Sequence, residues 1–241
     1  MTGAPVPAAE TSHPRPRPRV GIVSSRHRLC AAARHPLDEA TSLLAEQVEA
    51  AGDSGVEFFQ VREPDLSVAA LEALVRTLQR AAGGRVRIVV NDRADVAAAA
   101  GADLHLKSGS MPLARLQTWL PSGIWVSRAV HDSSEVTSAM AAGAPVDALL
   151  AGTVRDTESK AAGAPRLGMA GLARIVAVSA RPVFAIGGMT AADWPQAAAA
   201  GAAGLAAIGW MLPRSGEGAG DAVRRAMAEL HDATAGGPEP S

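Results

Sequence analysis

The chain has 241 residues, 48% of them apolar, a net charge of −1 and one cysteine. That length allows one large α/β domain with a substantial core, and the near-neutral charge and 3% aromatic content argue against a nucleic-acid partner. The lone Cys30 excludes an intrachain disulfide and a multi-cysteine metal site, and it fits a reducing cytoplasm.

Residues 1–19 are rich in proline and arginine and contain no apolar stretch able to form a signal core, so a disordered extension is expected there. A folded domain is expected over residues 20–233 and a flexible tail over 234–241. No run approaches the ~18 consecutive apolar residues of a membrane span, which predicts a soluble protein with no membrane partner.

Within the domain, short runs rich in Val, Ile and Leu alternate with Ala-rich stretches of helical period. The runs cover residues 20–24, 56–62, 86–91, 104–107, 125–131, 148–153, 182–187 and 205–209. Continuous apolar runs are typical of parallel strands buried on both faces. Between the first two, Leu37, Ala40, Leu44, Val48 and Ala51 recur at three- and four-residue steps; after the second, Leu71, Leu74, Val75, Leu78 and Ala82 do the same. Each set makes one apolar stripe able to pack on a sheet. Ala51-Gly52, Ala100-Gly101, Ala142-Gly143 and Ala200-Gly201 are expected to end helices with a left-handed glycine.

Eight such alternations predict a closed (β/α)8 barrel, the TIM-barrel form of the α/β class. The competing open doubly wound sheet would carry a G-x-G-x-x-G turn after an early strand, and residues 20–26 contain none.

The seventh run closes on Ala185, Ile186, Gly187 and Gly188, and the eighth on Ile208, Gly209 and Trp210. Glycines there let a phosphate approach main-chain N–H groups, and residues 190–193 could supply a helix start that adds favourable partial charge. The alternative is that these glycines only form tight strand-to-helix turns.

Several segments carry a family resemblance. Gly55 through Arg62, Val90 through Ala97, Gly101 through Leu106, Ser127 through His131, and Ala185 through Met189 together resemble the thiamine phosphate synthase/thiazole tautomerase (TenI) superfamily. The resemblance runs from about Val20 to Met211 and implies the same barrel. It also implies one of two activities. The synthase joins a pyrimidine pyrophosphate to a thiazole phosphate with magnesium; the tautomerase moves a double bond so that a thiazole carboxylate phosphate becomes aromatic.

The synthase pattern is only partly present. Gln60 and Arg62 match a Gln-x-Arg-x-Lys pattern, but Pro64 takes the lysine position and Glu63 intervenes. A Gln-Glu-Asp segment expected after the fourth strand, whose aspartate helps to hold magnesium, is Ser108-Gly109-Ser110 here. Asp92, the other expected metal carboxylate, and Lys160 are present, while a hydroxyl expected two residues before His131 is Ala129. The Ser108-Gly109-Ser110 segment and Arg128 resemble the tautomerase version.

The preferred expectation is therefore a TenI-like tautomerase with no cofactor, magnesium being needed only under the synthase alternative. His131 would be the acid/base, because an imidazole with a pKa near ~6.5 serves both roles at neutrality. It could instead be a helix-initiating residue. Gln60, Arg62, Asp92, Arg128, Lys160, Gly187, Gly188 and Gly209 are expected to bind a small phosphorylated thiazole. Arg62 would offer a bidentate fork to an anion, or pair with Glu63 or Asp92. His105 is expected to be a satisfied core histidine, Cys30 inert, and Trp125 and Trp210 packing residues, with Trp210 close enough to line the pocket. A non-catalytic thiazole phosphate-binding regulator is a third expectation, and a homo-oligomer is compatible with the sequence.

Overall fold

Each of the eight apolar runs forms a strand: β1 Arg19–Val23, β2 Phe58–Val61, β3 Arg87–Asn91, β4 Asp103–Leu106, β5 Val126–Val130, β6 Ala148–Ala151, β7 Val183–Ile186 and β8 Gly204–Ala207. In this computed structural model, which describes residues 18–141, 146–158 and 165–235, the strands pair in sequence order and all in parallel. β8 pairs back onto β1 with Val20 beside Leu205, closing the barrel. The open doubly wound alternative is thereby excluded.

The described helices are α1 Arg26–Ala33, α2 Ala40–Asp53, α3 Val68–Ala82, α4 Ala94–Ala100, α5 Leu113–Leu116, α6 Ser133–Ala141, α7 Gly168–Val178, α8 Trp194–Ala199 and α9 Ala219–Ala235. Helix α3 shows why they form. The Ser67 side chain accepts from the Ala70 amide at 3.3 Å, and Gly83 ends the helix at φ 53°. Leu71, Leu74, Val75 and Leu78 make one buried stripe between these signals. Burying four such side chains contributes roughly 6–12 kcal/mol before conformational entropy is subtracted.

Gly101 and Gly201 take the expected left-handed conformation, at φ 62° and 82°. Gly52 does not: α2 continues through it to Asp53. Its role is close packing, since a Cβ there would stand 3.0 Å from Cβ of Arg85. The Ala142-Gly143 signal, residues 1–17 of the expected extension and residues 236–241 of the tail lie outside the described residues. Among the described residues no helix is long and apolar enough to cross a membrane.

Two separate cores result. The larger lies between the barrel and its helices. The smaller fills the barrel interior with Phe58, Val89, Ala148, Leu150, Phe184 and Ala206. Phe58 meets Phe184 edge-on at 5.2 Å and Trp125 at 5.5 Å, closing the end from which the strands start. Arg19 and Arg87 cover Phe184 and Trp125 from outside, at 5.2 and 5.9 Å.

Candidate functional site

Strand alternation carries this interior upward into a pocket. Side chains point inward at every second residue. From Phe58 the inward positions run to Gln60 and Arg62, from Val89 to Asn91, and from Trp125 through Ser127 to Ala129 and His131. On β4 and directly after it they are His105 and Lys107. Apart from Ser127, the upper members of each series line a cavity of about 730 Å³ at the C-terminal ends of the strands. Gly187, Gly188, Gly209 and Trp210 line its opposite side. Barrel enzymes hold their chemistry at this face, and the volume suits a small ligand.

Gln60 is 3% exposed, and its Nε2 donates to Asn91 Oδ1 at 2.9 Å. Its Oε1 is the one buried side-chain polar atom without a hydrogen-bond partner among the described residues. Such an orphan costs on the order of 1–3 kcal/mol, which a ligand donor would recover. Arg62 also faces the cavity, and its guanidinium pairs with neither expected carboxylate. Glu63 turns the other way, accepting from Ser24 Oγ at 2.6 Å and from the Arg26 amide at 3.0 Å. Asp92 is held by Lys107 and Ser110.

That second arrangement bears on magnesium. Asp92 follows β3 at φ 55°, a left-handed conformation that Asp tolerates better than most residues. Its Oδ2 lies 2.6 Å from Lys107 Nζ, and its Oδ1 accepts from the Ser110 hydroxyl. Burial pushes the Asp92 carboxyl up, but Lys107 and Ser110 outweigh it and hold the group below the usual carboxylate range. Asp92 does not line the cavity; Lys107 does. No cluster of three or more candidate metal ligands occurs among the described residues. One carboxylate tied to an ammonium is a poorer Mg²⁺ site than the two carboxylates of the synthase pattern.

His131 directly follows β5, at the cavity wall. Its Nδ1 lies 3.1 Å from Glu135 Oε2, which also accepts its backbone N–H at 2.7 Å. A carboxylate can only accept, so Nδ1 is the donor of this pair, and in the tautomer that carries one proton the lone pair is on Nε2. Asp132 caps α6, accepting from the Ser134 and Glu135 amides at 2.8 and 2.9 Å. The helix-initiating role thus belongs chiefly to Asp132. His105, by contrast, is buried with Nδ1 2.8 Å from Ser127 Oγ. Burial, opposed by Asp92 and assisted by Arg128 and Arg62, lowers its pKa to about 4, so it is neutral at pH 7.

Arg128 is not brought to the cavity. One residue out of phase with His131, it points outward and donates to the Ser108 and Ser110 carbonyls, both at 2.8 Å. It lines a second cavity of about 310 Å³ with Glu135 and Leu113. At the phosphate side, Gly187 and Gly188 have φ of 99° and 66° and pack against Thr153 and Asp156 as well as facing the cavity. The Thr190 amide already donates to Asp193 at 2.9 Å, so that helix start is self-capped. A short 3₁₀ turn, Gly209–Met211, follows β8. Lys160 lies outside the described residues. Cys30 is buried, and burial raises its pKa, in keeping with an inert thiol.

Sequence reasoning missed Lys107, Glu135 and Arg28. Glu135 is four residues after His131, a helical spacing that could have found it. Arg28 lines the cavity from α1 and pairs with Glu158 at 2.7 Å.

The model of the family described as "Thiamine monophosphate synthase" matches residues 31–210. A "Putative thiamine-phosphate synthase" of Geobacter sulfurreducens is 40% identical over 163 residues, covering 67% of this chain and 76% of its own. The "Thiamine-phosphate synthase" of Anaeromyxobacter dehalogenans is 35% identical over 191 residues, covering 79% and 85%. Among solved structures, a thiamine phosphate pyrophosphorylase from Pyrococcus furiosus superposes with a TM-score of 0.71 at 25% identity, over 92% of this chain and 97% of that one. With three quarters of its length matched and the barrel shared throughout, this chain belongs to the thiamine monophosphate synthase family and the wider superfamily it forms with the thiazole tautomerases.

Proposed function

We propose that this barrel is a metal-free thiazole tautomerase of thiamine biosynthesis. Family membership supports the pathway. The observation that carries the reaction type is Asp92 closed by Lys107 and Ser110, because the synthase needs that carboxylate for its metal.

A tautomerase has no leaving group. It removes a proton from a ring carbon and returns one to the exocyclic carbon, so atoms and charge balance without a co-reactant. His131 suits both steps: Glu135 fixes its tautomer, and the Nε2 lone pair takes the ring proton that imidazolium then delivers. The glycines after β7 and β8 would receive the substrate phosphate, and Arg62 and the orphaned Gln60 carbonyl would orient the ring.

Thiamine phosphate synthase is the second reading. The names carried by the relatives favour it over the tautomerase. Gln60, Arg62 and Asp92 are its support within the chain.

One protein preparation tests both. Wild type and His131→Ala are given the non-aromatic thiazole carboxylate phosphate in EDTA, and aromatisation is followed. Acceleration that disappears in the variant supports the tautomerase; no acceleration by wild type overturns it. Pyrophosphate release from pyrimidine pyrophosphate and thiazole phosphate with Mg²⁺ would establish the synthase. Tight thiazole phosphate binding with neither reaction would leave a binding role.

A further inference from the structure

We infer that Lys107 is the pocket's built-in counter-cation, receiving the substrate's ring carboxylate on its ammonium so that anion binding needs no divalent metal. This deepens the tautomerase reading and rests on it.

The β4 alternation puts Lys107 on the cavity wall two residues beyond His105. An ammonium has three donors, and Asp92 Oδ2 takes one at 2.6 Å. The side chain is 63% exposed, so the remaining donors stay available to the cavity. Asp92 does not line the cavity, so of this pair only the lysine is presented to a ligand there. Arg62, on the same wall, adds a charge with no ion-pair partner among the described residues.

The support for Lys107 is layered. The Ser110 amide donates to the Lys107 carbonyl at 3.1 Å, forming a tight turn that brings the amine of one and the hydroxyl of the other to a single carboxylate. Arg128 clamps this turn through the Ser108 and Ser110 carbonyls. Such a braced ammonium loses little further freedom when it binds an anion.

Position in the barrel decides which anion it takes. The glycine cradle lies after β7 and β8, and Lys107 after β4, on the opposite side of the ring of strands. A ligand phosphate in the cradle leaves Lys107 for a second anionic group. On a thiazole carboxylate phosphate that group is the carboxylate.

The test is calorimetric titration of wild type and Lys107→Met with two aromatic thiazole phosphates that differ only in the ring carboxylate, each in EDTA and in Mg²⁺. Wild type is expected to favour the carboxylated ligand by about tenfold, the scale of one charge-assisted hydrogen bond, equally with and without Mg²⁺. Lys107→Met should erase that preference while leaving the Kd of the carboxylate-free ligand within about twofold, since only one contact is removed. A preference that survives the substitution, is missing in wild type, or appears only with Mg²⁺ would overturn the inference while leaving thiazole phosphate binding intact. Binding of neither ligand by wild type would overturn the functional reading and this inference with it.

Discussion

Gly188 combines two demands that a pair of substitutions separates. Its φ of 66° strains any residue with a Cβ, at about 1–2 kcal/mol. A Cβ there would also stand 2.0 Å from the Asp156 carbonyl oxygen. That oxygen has little room to retreat, because Val154 and Arg155 are bonded to Ile186 and Gly187 at 3.0 Å each. Overpacking of this kind costs about 1–3 kcal/mol, so Gly188→Ala should lose roughly 2–5 kcal/mol in all. Gly84 has φ 75° with nothing within 4 Å of its Cβ position, so Gly84→Ala should lose only the dihedral part. Urea denaturation at constant m-value measures both, and thermal melts should drop by ~2–4 °C per kcal/mol. Equal losses at the two sites would refute the claim that the segment after β6 is packed rigidly on the β7 glycine turn.

Other expectations follow from the same geometry. His131→Ala should slow aromatisation by about 10²–10⁴-fold without moving the melting temperature, and unchanged turnover would remove it from the mechanism. Phe58→Ala, in the plug of the barrel interior, should cost about 3–5 kcal/mol in urea denaturation; a loss below 1 kcal/mol would mean that the interior repacks freely. His105 protonates near 6.5 when unfolded but only at about 4 when folded. Between those values the unfolded state carries the extra proton, so stability falls as pH drops, by at most about 3 kcal/mol. Urea midpoints from pH 7 to 4 should therefore slope less in His105→Gln than in wild type, and identical slopes would count against the assignment.

The barrel was legible because parallel strands covered on both faces write themselves as continuous apolar runs. The same property hid the site. A mostly apolar run does not show which residues face inward: Arg128 was expected at the ligand from the family resemblance, and Lys107 was only the end of a run. Once the structure sets the alternation, Lys107 lines the cavity and Arg128 does not. The tie between Asp92 and Lys107 joins the ends of neighbouring strands, a tertiary contact that no local motif encodes. That His131 and the glycines after β7 and β8 stand at the cavity was legible because each sits just past a strand, where the pattern itself breaks. Gly52 misled because a glycine needed for helix packing and one needed to end a helix look alike in sequence.

The aromatic plug of Phe58, Phe184 and Trp125 has a kinetic consequence. It makes the barrel a cul-de-sac: whatever enters over the glycine turns must leave by the same door. Product that lingers there occupies the space the next substrate needs, so inhibition by product should be competitive.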